Sequence, residues 1–334
     1  MDILKNISLK PFNTFGIDVQ ASSFIKVTSL PQLFDVVAKN PNYFLIGGGS
    51  NMLLTKDILK TVVLISIKGI SIVKETKNDV YVEANAGEDW HDFVTWCLAN
   101  DYGGIENLSL IPGSVGASPI QNIGAYGVEV KDVIYKVNAL KVSAGKIVSF
   151  SNKKCKFGYR DSVFKNEMKD KYIITSVIYK LSKKKHQLNY NYGAIKAELL
   201  TRKIQKPTIK DISSIICEIR KAKLPNPDEI GNSGSFFKNP VVNEQVFKRI
   251  NENYPDMPFY KMDDLYKIPA GWLIEKCEFK GKRFGDAGVH KNQALVLVNY
   301  GNATGKEVCE LALNIRKKVA KEFGIQLEIE VNIF

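Results

Sequence analysis

An α+β protein of two or three domains is predicted by three features of this 334-residue chain. Residues 11–65 alternate short apolar strands with one helical stripe. Residues 60–205 are rich in strands. The remainder carries amphipathic helices and closes on an alternating apolar/polar run.

Phe24-Ile-Lys-Val27 reads as a strand. Ser29 caps a helix with proline in its first turn, Ser29-Leu-Pro-Gln-Leu-Phe-Asp-Val-Val37. Tyr43-Phe-Leu-Ile46 reads as a buried strand. Thr61–Ile65 and Val80–Ala84 follow as strands. Between Glu88 and Asn100 the apolar residues Trp90, Phe93, Val94, Cys97 and Leu98 recur at helical spacing. Val133–Val142, Lys146–Phe150 and Ile173–Leu181 read as further strands. A boundary falls near Gln205-Lys-Pro207. The helix Ile212–Ala222 then buries Ile212, Ile215, Ile216 and Ile219, and Leu224-Pro-Asn-Pro227 stops it. Thr304-Gly-Lys-Glu307 is a capping box opening the last helix, and Gly324 suits its C-terminal cap. In Ile325–Ile333 the odd positions are aliphatic and the even ones polar, so Glu328 and Glu330 share one face about 7 Å apart.

Composition excludes several classes. No apolar run approaches the roughly 18 residues of a membrane span. The N-terminus lacks a positive segment followed by an apolar one, so no signal peptide is read and a cytoplasmic location is expected. Five scattered cysteines (Cys97, Cys155, Cys217, Cys277, Cys309) form no C-x-x-C pair and read as reduced thiols. Three unclustered histidines give no zinc pattern. The net charge of +12 is spread along the chain, which fits solvated lysines or attraction for anionic small ligands better than a nucleic-acid footprint.

Two glycine-rich runs carry the strongest chemical signal: Phe44-Leu-Ile-Gly-Gly-Gly-Ser-Asn51 and Asn107-Leu-Ser-Leu-Ile-Pro-Gly-Ser-Val-Gly-Ala-Ser-Pro-Ile-Gln-Asn-Ile-Gly-Ala-Tyr-Gly127. Glycine lets backbone approach a ligand, and exposed N–H groups in such turns bind phosphate oxygens. Neither the dinucleotide fingerprint nor the P-loop pattern is met by the first run, and alone it fits a plain turn equally well. Together the runs point to a long phosphate-bearing cofactor. Arg160, in Phe157-Gly-Tyr-Arg-Asp-Ser162, is placed to bind a carboxylate in bidentate fashion or to pair with Asp161 on the surface. Ser235, in Gly231-Asn-Ser-Gly-Ser-Phe-Phe-Lys-Asn-Pro240, fits either a hydroxyl aimed into an apolar cleft or a simple hairpin turn. It lacks the Gly-x-Ser-x-Gly context of a hydrolase elbow. Glu330 reads as an outward strand carboxylate unless something else engages it.

Taken in order, these motifs resemble the UDP-N-acetylenolpyruvoylglucosamine reductase family. Asn13-Thr-Phe-Gly16, Ile111–Gly116, Gln121–Gly127, Lys223-Leu-Pro225, Ala270-Gly-Trp-Leu-Ile274 and Ala294–Asn299 join those above, so the resemblance runs almost the whole length. It implies a flavoprotein of three domains. Residues 1–58 and 59–206 would form a two-part FAD-binding fold of the vanillyl-alcohol oxidase type, and 207–324 a substrate-binding α/β domain. The closing segment 325–334 would rejoin the first part.

The implied reaction is NADPH-dependent, FAD-mediated reduction of UDP-N-acetylglucosamine enolpyruvate to UDP-N-acetylmuramate, in peptidoglycan precursor synthesis. Hydride would pass from reduced, non-covalent FAD to C3, and a proton from Ser235 to C2. The family's catalytic positions fall on Arg160, Ser235 and Glu330, the last by its Glu-Val register. Its cofactor positions fall on Gly47, Gly48, Gly49, Ser50 and Asn51, on Pro112, Gly113, Ser114, Gly116, Ala117 and Ser118, and on Asn122, Gly124, Ala125 and Tyr126. Its substrate positions fall on Tyr159, Tyr192, Lys223, Asn239, Tyr260, Lys280 and Gln293. Tyr192 lies in Asn189-Tyr-Asn-Tyr-Gly193, which is similar to the mobile tyrosine loop of the family's first subtype, and Tyr190 competes for that role. The expected partners are the two small-molecule substrates, with no nucleic acid, no membrane and a monomeric state. Two other readings fit the residues without the resemblance: another flavin oxidase of the same fold, and a basic, non-catalytic nucleotide- or RNA-binding protein.

Overall fold

The computed structural model describes residues 2–334. The chain folds into two compact units and crosses between them repeatedly. The first is Met1–Asn6, Ser22–Gly48 and Leu59–Arg220; the second is Ile7–Ala21, Gly49–Ile58 and Lys221–Phe334.

In the first unit the helix Leu30–Lys39 starts as its sequence dictates: the Ser29 hydroxyl accepts from Gln32 N, and Pro31 occupies the first turn. It leads into the strand Tyr43–Ile46, which runs parallel to Ile58–Ile65. That strand is the edge of its four-stranded sheet, so Leu45 is exposed and the run is half-buried rather than fully buried as its apolar residues predict.

A five-stranded antiparallel sheet follows, ordered Lys146–Ser151, Ile134–Lys141, Tyr172–Ser182, Asp79–Asn85, Ile70–Glu75. The central strand Tyr172–Ser182 is flanked on both sides and is buried along most of its length, as its aliphatic run requires. The helix Trp90–Ala99 belongs to the same core. Asp89 caps it by accepting from His91 N and Asp92 N, and Trp90, Phe93 and Tyr179 pack ring against ring at 4.9–5.9 Å. Ile70–Glu75 has no counterpart in the sequence reading. It is an edge strand, exposed over nearly every residue, so no period of two marks it. Helix Gly193–Thr201 and the start of Ile209–Lys223 close a smaller cluster of Ile195, Leu199, Ile212, Ile215 and Ile216. The second helix begins three residues earlier than its apolar stripe.

In the second unit the antiparallel order is Gly231–Ser235, Val296–Asn299, Ala287–Val289, Arg283–Phe284. The helix Gly305–Phe323 packs on this sheet through Ala287–Val289 and Val296–Asn299. Its capping box is complete in both directions, and Gly324 ends it at φ +67. The Thr304 backbone and hydroxyl bonds hold the Glu307 carboxyl below its ordinary range. A small sheet, Val241–Asn243 with Leu265–Lys267 and Tyr260–Met262, stands apart.

The closing segment differs from one continuous strand. Its alternation survives as burial, with Ile325, Leu327 and Val331 inside, but a ladder forms only at Asn332–Ile333, parallel to Met52–Leu53. The reason is that its backbone is engaged from several sides. Leu327 O accepts from Arg316 Nε, Glu328 O from Lys238 N, and Glu330 N donates to Phe236 O.

Candidate active site

The candidate residues fall into two groups, one per unit. In the first unit the two glycine runs meet backbone to backbone. A Cβ on Gly48 would lie 2.8 Å from the Gly113 Cα, and one on Gly47 2.8 Å from the Ser114 Oγ. Gly116 is as tight: its Cβ would stand 2.6 Å from that of Ala86. At Gly48 and Gly116, where the neighbour is backbone or a Cβ, no side chain larger than hydrogen fits, whereas at Gly47 the Ser114 hydroxyl would have to turn aside. The Gly113–Val115 stretch docks at the N-terminus of the Trp90–Ala99 helix: Gly113 O accepts from Trp90 N, and Val115 N donates to Glu88 O.

The rest of the long run is held by its own side chains. The Ser118 hydroxyl is buried between Val115 O (2.8 Å) and the Tyr179 hydroxyl (2.9 Å). Burial also pushes the Tyr179 phenol up. Asn122 is fully buried, donating to Glu129 and Gly158 O and accepting from Lys131 N. Both side chains therefore shape the loop from inside. Beyond them Gly124–Ala125 pairs with Val128–Glu129 through a two-residue turn whose residues, Tyr126 and Gly127, both have positive φ (50° and 82°). That is a primed hairpin turn, with tyrosine where asparagine is usual.

Arg160 is brought to this hairpin. It sits in the tight turn Gly158–Asp161 at φ +53, and its guanidinium donates to Gly124 O and, at 3.4 Å, to Asn122 O. It also lies 5.4 Å above the ring of Tyr159. The Asp161 carboxylate accepts from Asn166. Tyr192 is the N-cap of Gly193–Thr201 and meets Tyr126 edge to face at 5.4 Å. Both Tyr190 and Tyr192 are exposed.

In the second unit four separate stretches join. Thr14 N donates to Gly49 O, Asn232 N to Thr14 O, and the Ser233 hydroxyl to Met52 O. Asn332 N and Nδ2 both donate to Asn51 O, and Asn51 Nδ2 reaches Glu330 O at 3.5 Å. Ser235 ends the strand Gly231–Ser235, just past a register shift against Val296–Asn299. Gly234, at φ +66, makes the bulge, and Asn232 Oδ1 secures it by accepting from Gly234 N.

The chain then pairs with the closing segment at Phe237–Ile329, which sets Glu330 beside Phe236. Ser235 is exposed, while Phe236 and Phe237 are fully buried against each other and Phe15. The phenylalanines thus anchor the strand in the core and do not form an apolar cleft around the hydroxyl. Glu328 is exposed and pairs with Lys238; Glu330 is half-buried, so the two carboxylates differ in surroundings.

Among the expected substrate contacts, three gather on the helix Ala270–Lys276. Asn239 Oδ1 accepts from Ala270 N at its start. Gln293 Oε1 lies 2.8 Å from where a Gly271 Cβ would be, and Lys280 pairs with Glu275 at 2.9 Å. Lys223 is the exposed last residue of Ile209–Lys223. Tyr260 sits on the hairpin Tyr260–Lys267, whose Lys267 pairs with Val241, two residues past Asn239, and lies 5.7 Å over the Tyr260 ring.

Sequence reasoning missed His91 and Arg220. Leu110 has φ +58, strained for a bulky residue. Its N–H donates to His91 Nδ1 and its carbonyl accepts from Arg220 Nε. Burial holds the Arg220 guanidinium below its ordinary value, and it also bonds the Tyr126 phenol. No local sequence signal marks either residue, because the strain they support is tertiary.

The chain matches two known families, one described as an FAD binding domain over residues 28–151, the other as the C-terminal domain of UDP-N-acetylenolpyruvoylglucosamine reductase over 226–334. It is 54% identical over 336 residues to the UDP-N-acetylenolpyruvoylglucosamine reductase of Flavobacterium johnsoniae, covering 100% of both chains. It is 47% identical to that of Pseudomonas syringae pv. syringae, covering 100% of this chain and 99% of the relative. The crystal structure of the Thermus caldophilus reductase superposes with a TM-score of 0.69 at 23% identity, over 100% of this chain and 99% of that one, and shows the shared fold.

Proposed function

This chain belongs to the UDP-N-acetylenolpyruvoylglucosamine reductase family, and from that membership we propose which of its residues carry the reaction. The protein is the NADPH-dependent reductase of peptidoglycan precursor synthesis, a UDP-N-acetylmuramate dehydrogenase with FAD as cofactor. Its substrates are NADPH and the enolpyruvyl ether of UDP-N-acetylglucosamine.

The residues present fit FAD. Gly48 and Gly116 let the glycine-rich stretches pack against neighbouring backbone more closely than a Cβ would permit, and turns built this way are the kind whose backbone N–H groups bind a pyrophosphate. We assign cofactor contacts to Gly47–Asn51, to Pro112, Gly113, Ser114, Gly116 and Ala117, and to Gly124–Tyr126. Ser118 and Asn122 contribute by fixing loop shape. When bound, FAD supplies the two-electron redox chemistry.

Once a hydride has reached C3 of the enolpyruvyl group, negative charge collects on C2 and its carboxylate. Arg160, steadied by two carbonyls and its own turn, offers a fixed cation for that charge. We assign Glu330 to the same step from its family position. The Ser235 Oγ holds the proton that goes to C2. A serine hydroxyl is a weak acid, so its usefulness depends on being in place beforehand; the Gly234 bulge and the pairing of Phe236 with Glu330 do that.

The observation that supports the Ser235 and Glu330 roles is the bridge Phe237–Ile329, flanked by the Glu330 N–Phe236 O and Lys238 N–Glu328 O bonds, which ties the Ser235 strand to the Glu330 segment and, through Asn51, to Gly49–Asn51. Tyr159, Tyr192, Lys223, Asn239, Tyr260, Lys280 and Gln293 are assigned to substrate. We further propose that the sequence divides functionally at residues 58, 206 and 324, and that the protein acts as a cytoplasmic monomer that binds no nucleic acid. Sedimentation of the holoenzyme tests the monomer. Among the described residues no helix is long and apolar enough to cross a membrane.

Ser235→Ala tests the central assignment. Flavin reduction by NADPH stays within twofold of wild type. Reoxidation by the enolpyruvyl substrate, followed by anaerobic stopped flow, slows on the order of 10²–10⁴-fold. Reoxidation at unchanged speed removes Ser235 from the mechanism.

A further inference from the structure

Asn107 opens the long glycine run and is only 1% exposed. Its Nδ2 donates twice, to Tyr126 O at 3.2 Å and to Asn189 O at 2.7 Å. Its Oδ1 is buried without a hydrogen-bond partner. A reversed amide would set that oxygen against two carbonyls, so the side chain acts here purely as a donor. Tyr126 belongs to the hairpin that receives Arg160. Asn189 begins the stretch Asn189–Gly193, and its own Nδ2 returns to Gly127 O at 3.3 Å. Residues 187–191 have no regular secondary structure of their own, and Tyr190 and Tyr192 project from this region exposed. One buried amide thus stitches the base of an irregular segment to the turn of the cofactor hairpin.

We propose that Asn107 is a positioning residue that couples the Tyr192 segment to the Tyr126–Gly127 turn and thereby sets affinity for the nucleotide-sugar substrate. This rests on the reading of Tyr192 as a substrate contact. The stitch holds the Tyr126 carbonyl directly and the chain three residues before Tyr192, and the two tyrosine rings meet edge to face. Without it the turn keeps its ladder, but the segment must be ordered by the substrate itself, which costs conformational entropy at the moment of binding.

Steady-state kinetics of FAD-loaded Asn107→Ala test this. KM for the enolpyruvyl nucleotide sugar rises about tenfold while kcat falls less than threefold, and trypsin cuts faster at the exposed Lys184 and Lys185. Asn107→Asp, the same shape with acceptors facing two carbonyls, raises KM further than Asn107→Ala. Should Asn107→Ala fail to fold, Asn107→Ser, which removes the amide donor and leaves a smaller polar group, stands in and raises KM about threefold. An unchanged KM in Asn107→Ala, or in Asn107→Ser where that stands in, overturns the coupling if Tyr192→Ala raises KM. An unchanged KM in Tyr192→Ala overturns the reading of Tyr192, and the coupling with it. An Asn107→Asp variant no worse than Asn107→Ala also overturns the proposal, because packing alone would then account for the loss.

Discussion

Arg160 and Ser235 are positioned by the same device used in opposite ways. At Arg160 the left-handed conformation is in the functional residue itself (φ +53), and two carbonyl bonds and a closed turn over-determine it. At Ser235 the left-handed residue is the preceding Gly234 (φ +66), where no Cβ resists it. The first region holds a cation by stored strain plus hydrogen bonds. The second holds an alcohol by an unstrained bulge and a ladder. An arginine must be gripped because its long stem is mobile, whereas a serine is located once its backbone is.

The comparison can be broken at either end. The largest expected effect, after that of Ser235→Ala, is at the cation. Arg160→Lys keeps the charge but loses the planar fork that reaches Gly124 O and Asn122 O together, and substrate reduction falls roughly 100-fold in single-turnover measurements. Near-wild-type reduction would mean that charge alone suffices and the grip is incidental.

Next comes Gly234→Ala. Space exists for the methyl, so the cost is conformational, about 1–2 kcal/mol from the left-handed backbone. A lower Tm together with slower reoxidation is expected. A lower Tm with unchanged reoxidation would show that Ser235 does not depend on the bulge.

The smallest effect separates the two units by pH. In the first unit His91 and His186 have ring partners, Leu110 N for one and Ser182 and Asp101 for the other. In the second unit His290 is buried with Nδ1 unpartnered, and burial, then Lys291, holds it below its ordinary value. A lowered folded value favours the neutral ring. The stabilisation is therefore complete above the unfolded value, about pH 6.5, and is lost as pH falls from there through the folded value. Urea midpoints should drop between about pH 7 and pH 5, and less so in His290→Gln; equal drops would acquit His290.

Much of this was legible because it is local. Ser29, Thr304 and Gly324 announce helix ends through bonds spanning three or four residues, and all three act as read. The Gly234 bulge rests on an equally local bond, from Gly234 N to Asn232 Oδ1, yet the run reads in sequence only as a hairpin turn or a hydroxyl facing a cleft. Arg160's positive φ is not legible either, since nothing in Gly-Tyr-Arg-Asp demands it until the hairpin at Gly124 arrives to bind it. Ile70–Glu75 is illegible because an edge strand with little buried surface carries no pattern. The closing run was legible in its alternation but not in its ladder. Its partners Lys238 and Asn51 lie far off in sequence, and Arg316 reaches Leu327 O back across the end of its own helix, so only tertiary structure decides which carbonyl meets which donor. Asn107 offered no signal at all: a buried donor bridging two loops looks, in sequence, like any loop asparagine.

The parallel pairing of Met52–Leu53 with Asn332–Ile333 has a consequence for synthesis on the ribosome. Residues 7–21 and 49–58 emerge early, yet every other part of their unit is translated after residue 220. While the five-stranded sheet is being made, the nascent polypeptide must carry Thr14 without Asn232 and Met52–Leu53 without Asn332–Ile333, a long-range closure of the slow kind. A stall anywhere between the end of that sheet and Asn332 would therefore strand two segments without their mates and invite chaperones.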